Sequence, residues 1–377
     1  MPAATQAATI AIVSVGDPRS PGTWSGVTSG LCAGLRELGV EVVPVDLSLP
    51  RLRERALLAA AAMRTRNRYD AEGAALVDRV RSMRARQMLE QARVDGTIQI
   101  GTTFTLPAGM RYVTLEDMTL RQAVVTHPVF SRMSRRAANG WERRRTSIYA
   151  VAQMCAAATH WTADSLREDY GVPDDRIAVV GFGANHRPSA RERDWDTPRF
   201  LFVGIDWERK GGPQLLRAFA KVRERIPAAT LDVIGGHPPL EQAGVRFHGV
   251  LSQQRERDRA LMLDLFGAAT CFVMPSQVEP FGIVYVEAAA AGVPSIGSNL
   301  GGPPDVIGSD GGAVIPAADE HALIEAMLRL ADPATARRAG AAARARSALY
   351  TWRAVAERLL RALGLTAADG RELAEFL

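Results

Sequence analysis

The sequence predicts an α/β protein made of two similar halves, each with a parallel sheet. Short apolar runs alternate with longer helical patterns along its 377 residues, as in chains whose strands are joined by crossover helices. This length exceeds what one ordinary core requires, so two domains are expected. The strand pattern restarts after Arg187–Pro198, a polar stretch that we interpret as a linker. We therefore expect two Rossmann-like domains that face each other across a cleft, with ligands bound at the carboxyl ends of the strands.

Twelve apolar runs are the candidate strands, and six of them lie in each half. Those of the first half are Thr9–Val15, Val40–Leu47, Thr97–Gly101, Arg111–Leu115, Ala158–Trp161 and Ile177–Val180. Those of the second half are Phe200–Ile205, Thr230–Ile234, Val245–Gly249, Thr270–Met274, Ser295–Gly297 and Ala313–Ile315. We therefore predict an N-terminal domain over residues 1–187 and a C-terminal domain over residues 199–350, with terminal helices over residues 351–377.

Two helical segments stand apart from this alternation. The first, Arg51–Arg93, carries eleven arginines and five acidic residues. It is either a solvated helical face or a surface for an acidic acceptor or a membrane. The second begins at Thr351-Trp352 and is amphipathic, with Val355, Leu359 and Leu360 on one side.

Composition excludes several classes of protein. No run of about 18 apolar residues occurs, so a membrane span is not expected, and Met1–Thr9 lacks the pattern of a secretory signal. The three scattered cysteines predict buried thiols in a reducing cytoplasm. The net charge of +5 suits an anionic substrate or peripheral contact with the inner membrane face. No nucleic-acid motif is present, so no such partner is predicted.

Two glutamates eight positions apart, Glu279 and Glu287, form the first motif. A strand, a Pro-Phe-Gly turn and a helix would place Glu279 in a loop and Glu287 about two turns into the helix. Carboxylates accept from hydroxyl groups and a helix N-terminus attracts phosphates, so a sugar nucleotide would suit the site. Spacing alone also arises by chance in helical proteins. The backbone N–H groups expected at the helix start are those of Phe281, Gly282 and Ile283.

The second motif is the adjacent pair Arg209 and Lys210. It follows the strand that ends near Gly204 and precedes a helix starting near Pro213. Arginine can contact a phosphate through two N–H groups and lysine offers a compact charge, so the pair could bind a diphosphate. An exposed loop pair without function is the alternative.

Two glycine turns are further candidates for contact with a sugar nucleotide. In the loop after the first strand, Ser25 could cap the next helix and Gly26 could let a ligand approach the backbone. Gly301 and Gly302 lie at another strand end, near the expected sugar or diphosphate.

Two side chains of the first half are candidates for contact with a second substrate, the acceptor of the sugar. Asp117 follows a strand and could orient or deprotonate an acceptor hydroxyl, or instead cap the following helix. His127 could contact the donor sugar or the acceptor, although a lone histidine is more often structural.

The Glu-x7-Glu pattern of Glu279 and Glu287, the Pro-Phe-Gly turn between them, and Arg209-Lys210 before two glycines resemble a known family. They resemble the retaining GT-B glycosyltransferases of family 4, the glycosyl transferases group 1. The resemblance covers nearly the whole chain and is densest over Gly204–Asp305. The chain departs from the pattern at Ile205, where relatives often have arginine.

The resemblance implies metal-independent, retaining transfer of a sugar from a UDP- or GDP-linked donor, with no cofactor beyond that co-substrate. It also implies that the N-terminal domain binds the acceptor, that the C-terminal domain binds the nucleotide sugar, and that the C-terminal helices return to the N-terminal domain. The acceptor would be a hydroxyl of a glycan, a glycolipid or a small natural product. Glu279 would hold sugar hydroxyls, Glu287 the ribose, and Arg209 and Lys210 the leaving diphosphate, with Asp117 orienting the acceptor. A GT-B epimerase or phosphorylase, or a catalytically silent sugar-nucleotide-binding module, remains an alternative.

Overall fold

The computed structural model describes residues 8–65, 70, 75–127, 130–186, 192–252 and 255–365. The chain divides into two compact units: unit 1 comprises Met1–Gly183 and Thr351–Leu377, and unit 2 comprises Ala184–Tyr350. Each unit contains one six-stranded parallel sheet with helices, which confirms the predicted α/β class. Parts of three predicted segments lie outside the described residues: 66–69 and 71–74 of the insertion, 187–191 of the linker and 366–377 of the C-terminal segment.

The sheet of unit 1 has the strand order β2-β1-β3-β4-β5-β6. Its inner strands are buried on both faces, as parallel strands covered by crossover helices must be. The strands are β1 (Thr9–Ser14), β2 (Glu41–Asp46), β3 (Gly96–Ile100), β4 (Tyr112–Glu116), β5 (Met154–Ala157) and β6 (Ile177–Val179). The helices are α1 (Val27–Glu37), α2 (Arg51–Thr65), α3 (Ala75–Leu89), α4 (Leu120–Thr126), α5 (Arg135–Val151), α6 (His160–Glu168) and α13 (Trp352–Ala362).

The sheet of unit 2 has the strand order β12-β11-β10-β7-β8-β9. The strands are β7 (Arg199–Val203), β8 (Thr230–Ile234), β9 (Val245–Gly249), β10 (Cys271–Met274), β11 (Ser295–Ser298) and β12 (Gly312–Ile315). The helices are α7 (Gly212–Arg225), α8 (Glu256–Ala268), α9 (Ile283–Ala290), α10 (Pro303–Ile307), α11 (Glu320–Leu330) and α12 (Pro333–Arg346). The central strands β7 and β10 bring the loops of both predicted donor motifs to one edge of this sheet.

One predicted strand, Ala158–Trp161, is wrong. The strand at this place is β5, which ends at Ala157, and helix α6 begins at His160. Thr159 ends the strand because its side chain accepts a hydrogen bond from the backbone N–H of Thr162 and so caps the helix. A threonine between two apolar runs therefore marked a helix start.

The prediction that the C-terminal helix returns to the first domain is confirmed. Helix α13 packs on α1, and the Trp352 ring lies against Gly30 and Gly183. A Cβ atom at Gly30 would stand 2.1 Å from the indole, and one at Gly183 2.6 Å from it. Arg358 extends the attachment, because its Nε donates to the carbonyl of Val180 at 2.8 Å.

The three cysteines, Cys32, Cys155 and Cys271, are buried and unpaired, as predicted. Burial raises the pKa of the Cys155 thiol to about 11, which keeps it protonated at neutral pH. Across the described residues, no helix combines the length and the apolar character that a membrane crossing requires.

Candidate active site

Loops at the carboxyl ends of the unit 2 strands are joined by backbone hydrogen bonds at Glu279. Its N–H donates to the carbonyl of Leu300 at 3.1 Å, and its own carbonyl accepts from the N–H of Gly302 at 2.8 Å. Gly301 has φ 103°, and a Cβ atom there would lie 1.9 Å from the Glu279 carbonyl oxygen. Glycine is therefore required where the two loops meet.

Three of the predicted residues, Arg209, Lys210 and Glu279, lie together. The Lys210 ammonium contacts the Glu279 carboxylate directly, and an Arg209 Nη atom lies 3.9 Å from the same oxygen. Arg209 is held in place because it donates to the carbonyl of Val278 at 3.0 Å and pairs with Asp206 at 3.1 Å. The Glu279 carboxylate is nearly buried, with 6 % of the residue exposed. The geometry concentrates positive charge around one buried carboxylate.

Glycines position the two cations. Gly211 adopts φ 79°, and a Cβ atom there would stand 2.2 Å from the carbonyl oxygen of Pro275. This close approach ties the turn after β7 to the turn after β10. Gly204 leaves room for Lys210, whose Cγ would lie only 3.0 Å from a Cβ atom at that position.

Helix α9 begins beside Glu279. Its N-cap is Gly282, which has φ 82° and no side chain to cap the first N–H groups. Phe281 is buried and packs against Tyr350, and the Tyr285 hydroxyl donates to the carbonyl of Met274 at 2.6 Å. These contacts fix the helix start at Ile283, so its positive end lies where the motif predicted it.

Glu287 lies closer to the helix start than predicted. Because α9 begins at Ile283, Glu287 is just over one turn into the helix, and the expectation of about two turns is wrong. Its carboxylate is buried and accepts from the backbone N–H groups of Asn185 and His186. Burial outweighs these bonds and raises its pKa to about 8.

The turn before α1 differs from the prediction at Ser25. Gly26, with φ 86°, is the N-cap of α1, and no side chain caps the helix, so the expected capping by Ser25 is wrong. Ser25 has φ 53° and Trp24 has φ 49°, backbone conformations that are costly for residues other than glycine. Gly101 accommodates the Trp24 ring, since a Cβ atom there would lie 2.9 Å from it.

Asp117 follows β4 and lines a cavity of about 400 Å³ within unit 1. The alternative role of helix cap belongs to Thr119, which forms a capping box with Gln122 at the start of α4. His127 ends that helix and packs against Phe130, with ring centroids 5.2 Å apart. Phe130 in turn lines the cavity, so it connects His127 to this space.

Sequence reasoning missed Arg145, which lines the same cavity from helix α5. It donates to Glu116 at 3.3 Å, and its guanidinium lies 4.8 Å from the centre of the Trp141 ring. Glu116 is buried and also accepts from Thr102 at 2.6 Å and contacts the Tyr149 hydroxyl. The i, i+4 spacing of Trp141 and Arg145 was the available signal, since it places both on one helix face.

The family profile "Glycosyl transferases group 1" matches residues 197–332. Over 215 residues, the chain is 34% identical to a glycogen synthase of Mycobacterium tuberculosis, covering 54% of this chain and 51% of that protein. It is 30% identical over 239 residues to a D-inositol 3-phosphate glycosyltransferase of Xylanimonas cellulosilytica, covering 56% and 57% of the two chains. The chain thus spans about half the length of these curated relatives.

Similarity of fold extends further than similarity of sequence. A sucrose-phosphate synthase from Thermosynechococcus elongatus superimposes with a TM-score of 0.67 at 21% identity, covering 93% of this chain and 96% of that one. At this identity the likeness shows the fold alone. The family match thus covers residues 197–332, and the chain as a whole has the GT-B fold that it shares with this synthase.

Proposed function

We propose that this protein is a retaining glycosyltransferase that moves a sugar from a nucleoside diphosphate sugar to an acceptor hydroxyl. The observation that carries the proposal is the contact of Lys210 with Glu279, beside Arg209 and the start of α9. One buried carboxylate, two cations and an uncapped helix N-terminus offer partners for sugar hydroxyls and for a diphosphate.

Without donor, Lys210 and Glu279 neutralise each other, which limits the cost of burying either charge. When the donor binds, Lys210 would pair with its diphosphate and Glu279 would accept hydrogen bonds from its sugar hydroxyls. The two groups would then be positioned by the same turns that hold them now, with Gly301 and Gly302 shaping the loop beside them. Glu287 would hold the ribose hydroxyls.

In the reaction, the bond between the anomeric carbon and the diphosphate oxygen breaks, and negative charge develops on that oxygen. Arg209, Lys210 and the N–H groups of Phe281, Gly282 and Ile283 would stabilise this charge. The acceptor oxygen attacks the same face that the leaving group departs from, and its proton passes to a donor phosphate oxygen. The products are a glycoside with retained configuration and a nucleoside diphosphate. Asp117 would orient the acceptor hydroxyl.

The test compares the two lysines of the sequence, Lys210 and Lys221. Lys221 is exposed and pairs with Glu224 on helix α7, so Lys221→Ala is a matched control. We expect Lys210→Ala and Glu279→Gln to lower acceptor-dependent donor consumption by about a hundredfold or more, the scale of losing one preorganised electrostatic contact. Lys221→Ala should leave it unchanged.

The assay uses the full chain with panels of UDP- and GDP-sugars and of hydroxyl acceptors. Turnover near the wild-type level in both Lys210→Ala and Glu279→Gln would refute the assignment. Retention is checked by the anomeric configuration of the product, and metal independence by transfer that persists in excess chelator.

A further inference from the structure

The unit 1 cavity has a chemistry of its own, which the helical insertion creates. Helix α2 contributes Glu54 and Leu58 to its lining, and helix α3 contributes Val77 and Arg81. Among the described residues, the other sides come from strand β4, helices α4 and α5, the loop after β3, the turn before α1 and Phe130. The sequence left two interpretations of this Arg-rich segment open. In the structure, its helices form part of a cavity of about 400 Å³.

The insertion is anchored to the rest of unit 1 by polar contacts, so the cavity has a defined shape. Asp70 accepts from the backbone N–H of Ser134 at 2.7 Å, and Asp78 accepts from Arg144 at 2.7 Å. Further along α3, the Ser82 hydroxyl accepts from the N–H of Thr105 at 2.9 Å. Asp78 is mostly buried, which strengthens its pairing with Arg144.

The charges of the cavity nearly cancel. Among the described residues, three carboxylates and two guanidinium groups line it, a net charge of minus one. Arg81 pairs with Glu54 at 2.9 Å and Arg145 with Glu116 at 3.3 Å, and Asp117 is the fifth charged group. A phosphate or carboxylate placed here would be buried without a surplus positive charge, which costs free energy.

Hydrogen-bond donors in the lining nevertheless lack acceptors. Within the described structure, Arg81 Nε, Arg145 Nε and Trp141 Nε1 are buried and have no partner. Buried N–H groups are nearly always paired, so a ligand that brings neutral acceptor oxygens fits these residues. Hydroxyl groups accept as well as donate, and could therefore pair with the carboxylates of the lining too.

Aromatic rings supply the apolar part. Trp24, Phe130 and Trp141 all line the cavity. Trp24 is held there by a backbone of positive φ, and conformations of this cost concentrate at ligand sites. Flat aromatic faces suit the C–H face of a saturated ring.

We infer that the unit 1 cavity binds the acceptor, and that the acceptor is an uncharged, polyhydroxylated ring such as a sugar or a cyclitol. This inference rests on the proposed glycosyltransferase function and names its acceptor class. Ring hydroxyls pair with Asp117 and with the donors of Arg81 and Trp141, and the ring packs on Trp24.

The test measures binding by calorimetry on the full chain saturated with whichever of UDP or GDP binds. The probes are D-glucose and myo-inositol, each against a charged counterpart, glucose 6-phosphate or glucuronate for the former and an inositol monophosphate for the latter. We expect saturable binding of at least one neutral probe, and binding at least tenfold weaker for its charged counterpart.

The variants locate the binding. Trp24→Ala and Arg81→Met should weaken the neutral probe at least tenfold, while Trp24→Phe, which keeps a ring, and Arg86→Met should not. Arg86 lies on the same helix as Arg81 with its side chain exposed, so it is a matched control. Nucleotide binding should be unchanged in all four variants.

Three results would overturn the inference. They are tighter binding of a charged probe, no saturable binding of either neutral probe at about 100 mM, and neutral binding lost in Lys210→Ala but kept in Trp24→Ala. None of them bears on nucleotide binding by unit 2. Failure of the proposed function would instead appear as loss of acceptor-dependent donor consumption for every donor.

Discussion

Glu287 illustrates at the residue scale how burial changes the chemistry of a side chain. Two backbone N–H groups, from Asn185 and His186, favour its ionised form, yet desolvation is larger and raises the pKa from 4.5 to about 8. The folded protein therefore binds a proton at Glu287 more tightly than the unfolded chain does. Its contribution to stability is fully present below about pH 4.5, where both states are protonated, and is lost as the pH rises from there to about 8.

The first of the predictions made at this scale concerns Glu287→Gln. The substitution removes the titration, so the free energy of unfolding of the wild type should fall relative to the variant between pH 5 and pH 8.5. The expected relative loss is a few kcal/mol, at about 1.4 kcal/mol per pKa unit. Denaturant titrations across this pH range measure it.

Glu325→Gln is the matched control, because Glu325 lies in the same unit with an exposed side chain that pairs weakly with Arg225. Its free energy of unfolding should depend on pH in the same way as that of the wild type, so that the two curves run parallel. If the Glu287→Gln curve also runs parallel, the carboxyl is already ionised at pH 5 and the account of its burial is wrong.

Residue-scale prediction from sequence succeeded where the chemistry is local. Arg209 and Lys210 are adjacent in the chain, so a strand-end turn placed both at one site. It failed at Ser25, because the choice of Gly26 as N-cap depends on a turn that brings Trp24 against Gly101. These two residues are 77 positions apart, and the sequence does not show that they are in contact.

At the scale of elements, the site depends on how two loops meet. The turn after β10 and the turn after β11 share an isolated parallel bridge between Glu279 and Gly301. This bridge fixes the backbone of Glu279, while Lys210 and Arg209 fix its carboxylate. The loop geometry therefore belongs to the candidate site as much as the side chains do.

Gly301→Ala should disrupt this junction. The added Cβ would lie 1.9 Å from the Glu279 carbonyl oxygen, at φ 103°. We expect a loss of about 2 kcal/mol or more in the free energy of unfolding and a marked fall in transfer, because the backbone must shift to relieve the clash. Denaturant unfolding and the transfer assay provide the measurements.

Gly171→Ala separates the clash from the cost of positive φ. Gly171 has φ 65° and nothing within 4 Å of an added Cβ, so alanine there should lower the free energy of unfolding only through its backbone conformation. We expect a cost of about 1 kcal/mol and no effect on transfer. Equal costs at the two positions would show that the loop junction adds nothing.

The helical insertion shows a limit of element-scale prediction. Its arginine content predicted a charged helical segment, and α2 and α3 are indeed helical. The role of Arg81 could not be predicted, because its partner Glu54 and Trp141, which lines the same cavity, come from other helices. Periodicity identifies a helix, whereas packing decides which arginine faces a cavity.

At the scale of the whole molecule, the chain leaves unit 1, builds unit 2 and returns. Helix α13 belongs to unit 1 although it follows unit 2 in sequence. Trp352 anchors it, with Val355 and Leu359 fully buried behind it. The stability of unit 1 should therefore depend on residues at the far end of the sequence.

Trp352→Ala tests this dependence. Truncating a buried tryptophan typically costs about 3–5 kcal/mol, and the loss should fall on unit 1. Amide hydrogen exchange should accelerate in β5 and β6 while the strands of unit 2 keep their protection. Trp195→Ala is the control, since Trp195 packs against Arg193 and Gly340 within unit 2. Equal acceleration in both sheets would contradict the assignment of α13 to unit 1.

The sequence by itself determined the α/β class, the strands of both sheets except β5, and the grouping of Arg209 and Lys210, since each follows from local periodicity or adjacency. Only the tertiary structure decided the contact of Lys210 with Glu279, the raised pKa of Glu287 and the cavity beside Trp24. These features arise from segments that are distant in the chain, and burial and contact between such segments are properties of the folded molecule.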